Sequence, residues 1–129
     1  MKKLFTFFAV ILGVALMAMR IANPGEFKFE KETHDFGKIV QGTPVTYEFK
    51  FTNVGDEPII ISNVQASCGC TVPKYSSTPV KKGEVGTITA TYNAANPGAF
   101  TKALTITSNA KTPSKVIYIK GEVETKSSK

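Results

Sequence analysis

A strict alternation of apolar and polar residues constrains this chain more than any other feature. Val45, Tyr47, Phe49 and Phe51 interleave with Thr46, Glu48, Lys50 and Thr52. Successive side chains of a β-strand point to opposite faces, so this run has one dry face and one wet face. The pattern returns at Ile88, Ala90 and Tyr92 between Thr87, Thr89 and Thr91, and again at Leu104 and Ile106 beside Thr105 and Thr107. β-branched residues dominate 59–64 and 116–123, which read as two further strands. Shorter candidates lie at 27–30, 39–40 and 71–72.

Turn chemistry separates these runs at Asn53-Val54-Gly55-Asp56 ahead of Pro58, at Lys82-Gly83, at Asn96-Pro97-Gly98, and from Asn109 to Pro113. Gly83, Gly86 and Gly98 read as turn glycines. No segment beyond the N-terminal run repeats apolar residues at helical spacing. A half-apolar strand must bury its dry face against a second layer, so about seven strands imply two packed sheets. The expected fold is an all-β, immunoglobulin-like β-sandwich of about seven strands over residues 26–123, with a frayed tail at 124–129. Phe49, Phe51, Ile88, Leu104, Ile106 and Ile119 should point inward, and core packing also accounts for Phe29, Phe36, Tyr92 and Phe100.

The N-terminus differs in kind. Lys2 and Lys3 precede sixteen uncharged residues, Leu4 to Met19, which end at Arg20. That is the layout of a secretory signal peptide, here residues 1–22, and it is short of the roughly 20 apolar residues that a spanning helix needs. No pair of small residues marks the cleavage site, so an uncleaved anchor is the alternative, and only then would the membrane be a partner. Cleavage near Ala22 removes three of the sixteen basic residues, which leaves thirteen against ten acidic ones, a net +3. The remaining lysines are scattered, which argues against nucleic acid as a partner. The expected location is exported: periplasmic, cell-envelope or secreted.

His34-Asp35-Phe36-Gly37, Phe49-Lys50-Phe51-Thr52-Asn53-Val54-Gly55, Pro58-Ile59-Ile60-Ile61 and Ser67-Cys68-Gly69-Cys70-Thr71-Val72-Pro73 occur in that order. Gly83, Gly86, Asn96-Pro97-Gly98-Ala99-Phe100 and the run 117–123 complete the series. Together they resemble a bacterial family known as domain of unknown function number 1573, and the likeness covers nearly all of the chain after residue 22. The resemblance implies a sandwich similar to the Hydin-like and major-sperm-protein-like immunoglobulin folds. It implies no catalytic residue.

The chemically pointed residues are few. His34 and Asp35 are adjacent, and on an extended chain adjacent side chains diverge, so they read as a polar turn and not as part of a triad. Asp56-Glu57 reads as a solvated turn. Cys68 and Cys70 are two thiols in a chain bound for an oxidising compartment and read as a disulfide or redox pair. Two residues apart, they can close a ring only across a sharp bend, which Gly69 would permit. As metal ligands they fall short of the four that structural zinc takes. A loop from Ser67 to Pro79 would present Lys74 and Tyr75 as contacts.

The function that follows is a noncatalytic exported binding or assembly module of the bacterial cell envelope, with no cofactor, no metal and no catalytic residue, and with a protein or cell-surface polymer as partner. The alternative is a small thiol-redox or soft-metal-binding protein acting through Cys68 and Cys70.

Overall fold

Eight strands carry the alternating runs of the computed structural model, which describes residues 22–125. Apart from Ala22, the expected signal peptide lies outside the described residues, as does 126–129 of the expected tail. The strands are β1 (Phe27–Phe29), β2 (Thr33–Val40), β3 (Val45–Asn53), β4 (Ile61–Ala66), β5 (Thr71–Tyr75), β6 (Val85–Tyr92), β7 (Gly98–Ser108) and β8 (Ser114–Glu124). They form two four-stranded sheets, in the orders β1-β3-β6-β5 and β2-β8-β7-β4. Removing β1 or β2 leaves the seven-strand immunoglobulin arrangement. The eighth strand arises because the first one divides: the Glu30 amide still donates to the Lys50 carbonyl of the first sheet, while the Glu32 carbonyl already accepts from Tyr118 of the second.

The inward residues meet as the alternation requires. Phe49, Phe51 and Ile88 of the first sheet and Leu104, Ile106, Ile117 and Ile119 of the second are all at most 1% exposed. Burying a large apolar side chain stabilises a fold by about 1.5–3 kcal/mol, so this layer is the main source of stability.

Several local expectations need correction. Residues 34–37 are not a turn but part of β2, which runs parallel to β8 and breaks register between Asp35 and Lys38. Gly37 takes a φ of 69° there, and its amide donates to the Asp35 carboxylate at 2.8 Å. A bulged strand with a glycine and two charges does not alternate cleanly, so it reads as a loop. Lys74 and Tyr75 lie in β5 and not in a loop. Glu124, placed in the frayed tail, ends β8 opposite Val40. Gly83 and Gly98 have the positive φ of turn glycines, whereas Gly86 sits inside β6 opposite Phe51. A Cβ at Gly86 would collide with the Phe51 ring, so the absent side chain is a packing requirement.

Candidate functional site

Cys68-Gly69-Cys70 forms the link by which the chain leaves β4 in one sheet and enters β5 in the other. On the β4 side, the Ser67 amide donates to the Ala103 carbonyl at 2.9 Å, and the Ala103 amide to the Ser67 hydroxyl at 3.1 Å. On the β5 side, the Asn93 amide donates to the Cys70 carbonyl at 3.0 Å. Anchoring at both ends holds the Cα atoms of Cys68 and Cys70 5.3 Å apart with their sulfurs in contact. The separation lies within the range that a disulfide uses.

Gly69 does not supply left-handed backbone: its φ lies outside the positive region, and a Cβ there would meet nothing within 4 Å. The expected glycine-dependent bend is thus replaced by a turn held at its ends. Thr71, 3% exposed, places its hydroxyl 4.0 Å from each sulfur. Both cysteines are half-buried, and Cys70 packs against the core. Behind the link, Tyr92 stacks on Phe100 with ring centroids 4.0 Å apart. Next to it Ala94, fully buried, has a φ of 56°, which an L-residue holds only when its surroundings fix it. The Asn93 carboxamide oxygen accepts from the Ala95 amide at 3.1 Å, and the Ala94 carbonyl accepts from Gly42 at 2.8 Å.

The other candidate residues lie apart from this corner. Tyr75 turns inward and its hydroxyl donates to the Ser62 carbonyl at 3.1 Å, where β4 breaks register between Ile61 and Asn63. Its hydroxyl ties the two sheets together. Lys74 is exposed, opposite Thr89. His34 faces inward at the opposite edge, stacked on Tyr47 at 3.7 Å between ring centroids, while Asp35 points to solvent. Strands are about 4.8 Å apart, so three strand spacings put His34 roughly 14 Å from the β4 edge, too far to share a metal with the cysteines. Among the described residues no cluster of three or more His, Cys, Asp or Glu side chains could hold a metal. Asp56 is a solvated turn residue, ion-paired with Lys82 at 3.0 Å.

One surface feature went unread in the sequence. Beside the bulge of β2, a groove of about 320 Å³ opens over the second sheet, bordered by Asp35, Gly37, Lys38, Phe100, Lys120 and Gly121. A Cβ at Gly121 would press on the Gly37 carbonyl and the Phe100 ring, so a glycine at that position lets β2 and Phe100 come close. The pairing of β8 with β2 on one side and with β7 on the other brings these residues together, and the polar His34-Asp35 string concealed it.

The family described as protein of unknown function (DUF1573) matches residues 27–123. The chain belongs to the DUF1573 family. This DUF1573 chain matches no curated protein. Its fold is similar to that of a protein of unknown function from Porphyromonas gingivalis W83, with a TM-score of 0.69 and 19% identity over 81% of this chain and 50% of that one. The DUF1573 chain therefore spans about half the length of that protein. It is also similar to the PapD-like domain 7 of human CEP192, with a TM-score of 0.67 and 8% identity over 84% of this chain and 92% of that one. A third likeness is to the CsuC-CsuE chaperone-tip adhesion subunit pre-assembly complex of Acinetobacter baumannii, with a TM-score of 0.55 and 12% identity over 77% of this chain and 57% of that one. These likenesses establish an immunoglobulin-like, PapD-like β-sandwich.

Proposed function

We propose that this chain is an exported binding or assembly module of the bacterial cell envelope that takes up an extended segment of another protein along the free edge of β2. The observation that carries the reading is the juxtaposition of that edge with the groove beside it. β2 is eight residues long and, among the described residues, pairs with β8 on one side only. Strand addition draws affinity from main-chain hydrogen bonds along such an edge and specificity from neighbouring depressions that accept alternate side chains. The competing edges are less suited: β1 has three residues, β5 carries Pro73, which has no amide proton to offer, and β4 has its Ser62 carbonyl taken by the Tyr75 hydroxyl. The likeness to a chaperone–subunit complex accords with a protein partner.

Site-specific photocrosslinking in intact cells tests this. A photoreactive residue at Lys38, on β2, should give a discrete protein adduct that the same group at Lys74, on β5, does not. Adducts of equal yield from both positions, or capture of polysaccharide in place of protein, would overturn the reading.

A further inference from the structure

The corner between β4 and β5 has a chemical asymmetry that a binding role does not use. The last β4–β7 pair is Ala66 with Leu104, and the hydrogen bonds between Ser67 and Ala103 extend the pairing by one step. Continued by one residue to where the chain bends toward β5, the same antiparallel register sets Cys68 against Lys102. Parity agrees: Val64, Ala66 and Cys68 alternate on the inner face, as do Leu104 and Lys102, and both Cys68 and Lys102 are half-buried. Side chains directly opposed on one face have Cβ atoms about 4.5–5.5 Å apart, within reach of a lysine ammonium.

The surrounding charges reinforce the asymmetry. β4, the link, β5, β6, residues 93–97 and β7 contain no Asp or Glu. Their two lysines are Lys102 and Lys74, and Lys74 is exposed on the outer face of its sheet. From β8, Lys120 and Glu122 are exposed, opposite Thr101 and Ala99. Among these elements the register therefore gives Cys68 a cation and no acid, whereas Cys70 packs against apolar core. A nearby cation favours the thiolate and an apolar setting disfavours it.

We infer that Cys68 is the nucleophilic sulfur of a thiol–disulfide exchange site, that Lys102 activates it, and that the substrate class is a disulfide-bonded or dithiol segment of another protein. In the reduced pair, the Cys68 thiolate attacks one sulfur of the partner's disulfide. That S–S bond breaks, one partner sulfur leaves as thiolate, and a mixed disulfide forms on Cys68. The Cys70 thiolate then attacks the Cys68 sulfur, closing the Cys68–Cys70 bond and expelling the second partner sulfur. Two electrons pass to the partner, and the two protons of the cysteine thiols end on its thiolates. With a partner dithiol the same steps run backwards through the same mixed disulfide. Lys102 acts through Cys68 and is a positioning residue.

Glutathione disulfide is a suitable probe, with the mixed disulfide followed by intact mass on the full chain. At neutral pH the single thiol of Cys70→Ser should react about tenfold faster than that of Cys68→Ser, with a pH midpoint below the ordinary thiol value of about 8.5. Adding Lys102→Gln to Cys70→Ser should raise that midpoint and slow the reaction at least about fivefold, and Lys102→Arg should restore both. Equal rates at the two cysteines, or a midpoint indifferent to Lys102→Gln, would overturn the inference. Should a single-cysteine variant fail to fold, brief iodoacetamide labelling of the reduced native chain gives the same decision. Peptide mapping should find Cys68 modified before Cys70, and the reverse order overturns it.

Discussion

The side-chain amide of Asn53 donates to the carbonyl of Val80 at 2.9 Å, which fastens the end of β3 to the segment that approaches β6. The same amide donates to the Glu57 carbonyl at 2.8 Å, and its oxygen accepts from the amides of Gly55 at 2.9 Å and Glu26 at 3.1 Å. Asn53 is fully buried, so these four bonds have no water to replace them. Asn53→Ala should destabilise the fold by about 2–4 kcal/mol, because each buried polar group left without a partner costs about 1–3 kcal/mol. Urea unfolding measures this, and a loss near zero would mean that water fills the site.

Gly86 and Phe51 give a test of register. Gly86→Ala should cost about 1–3 kcal/mol, because the new methyl group meets the Phe51 ring. Phe51→Ala and Leu104→Ala should cost roughly 2–5 kcal/mol, the usual range for emptying core positions, while the outward Thr105→Ala costs little. In the double variant Gly86→Ala/Phe51→Ala the glycine effect should shrink, since the clash is gone. Additive losses in that double variant would contradict the contact.

The parts legible in the sequence were those governed by local periodicity. Phe49, Phe51, Ile88, Leu104, Ile106 and Ile119 sit where a period of two placed them, because a half-buried strand writes its burial into its own residues. The rest depends on partners distant in the chain. Asn53 reads as a turn residue until Glu26 and Val80 approach it. Lys102 interrupts the apolar face of β7, so the strand could be recognised only from Leu104 onward although it starts at Gly98. The Cys68–Cys70 pair was visible, but the role inferred for Lys102 rests on the pairing of β4 with β7, which no local pattern encodes.

His34 should titrate below the ordinary value of 6.5. Burial against Tyr47 and Phe36 lowers its pKa first, the nearby Lys31 lowers it further, and Asp35 opposes both. The folded state thus binds the proton less readily than the unfolded chain. Stability from this residue is fully present above pH 6.5 and is lost as pH falls from there through the folded value. An NMR titration should place the His34 midpoint below 6.5, with Lys31→Gln raising it and Asp35→Asn lowering it further. A midpoint at or above 6.5 would show that Asp35 prevails.

Export has a direct readout. If residues 1–22 act as a cleaved signal, the intact mass of the protein recovered from the cell envelope should correspond to a chain beginning between Met19 and Asn23. Soluble cytoplasmic protein that retains Met1 would contradict the exported setting.

The oxidation state of Cys68 and Cys70 sets the last prediction. With their Cα atoms 5.3 Å apart and their link held at both ends, the two should be joined in the exported protein. Alkylation under denaturing conditions without reductant should then add nothing, and the mass should be two hydrogens below that of the dithiol. The bond closes a loop of only three residues, for which the chain-entropy relation gives about 1.6 kcal/mol, so Cys68→Ser should leave the fold intact and cost no more than about that amount. Gly69→Ala should change stability by less than about 0.5 kcal/mol, because its φ is ordinary and its surroundings are open. Calorimetric melts of these variants distinguish a link held by its flanking hydrogen bonds from one held by the sulfur bond. A small loss in Cys68→Ser alongside a large loss in Ser67→Gly, which removes the hydroxyl that receives the Ala103 amide, would assign the shape of the corner to its flanks. A collapse of the fold in Cys68→Ser would assign it to the cysteines.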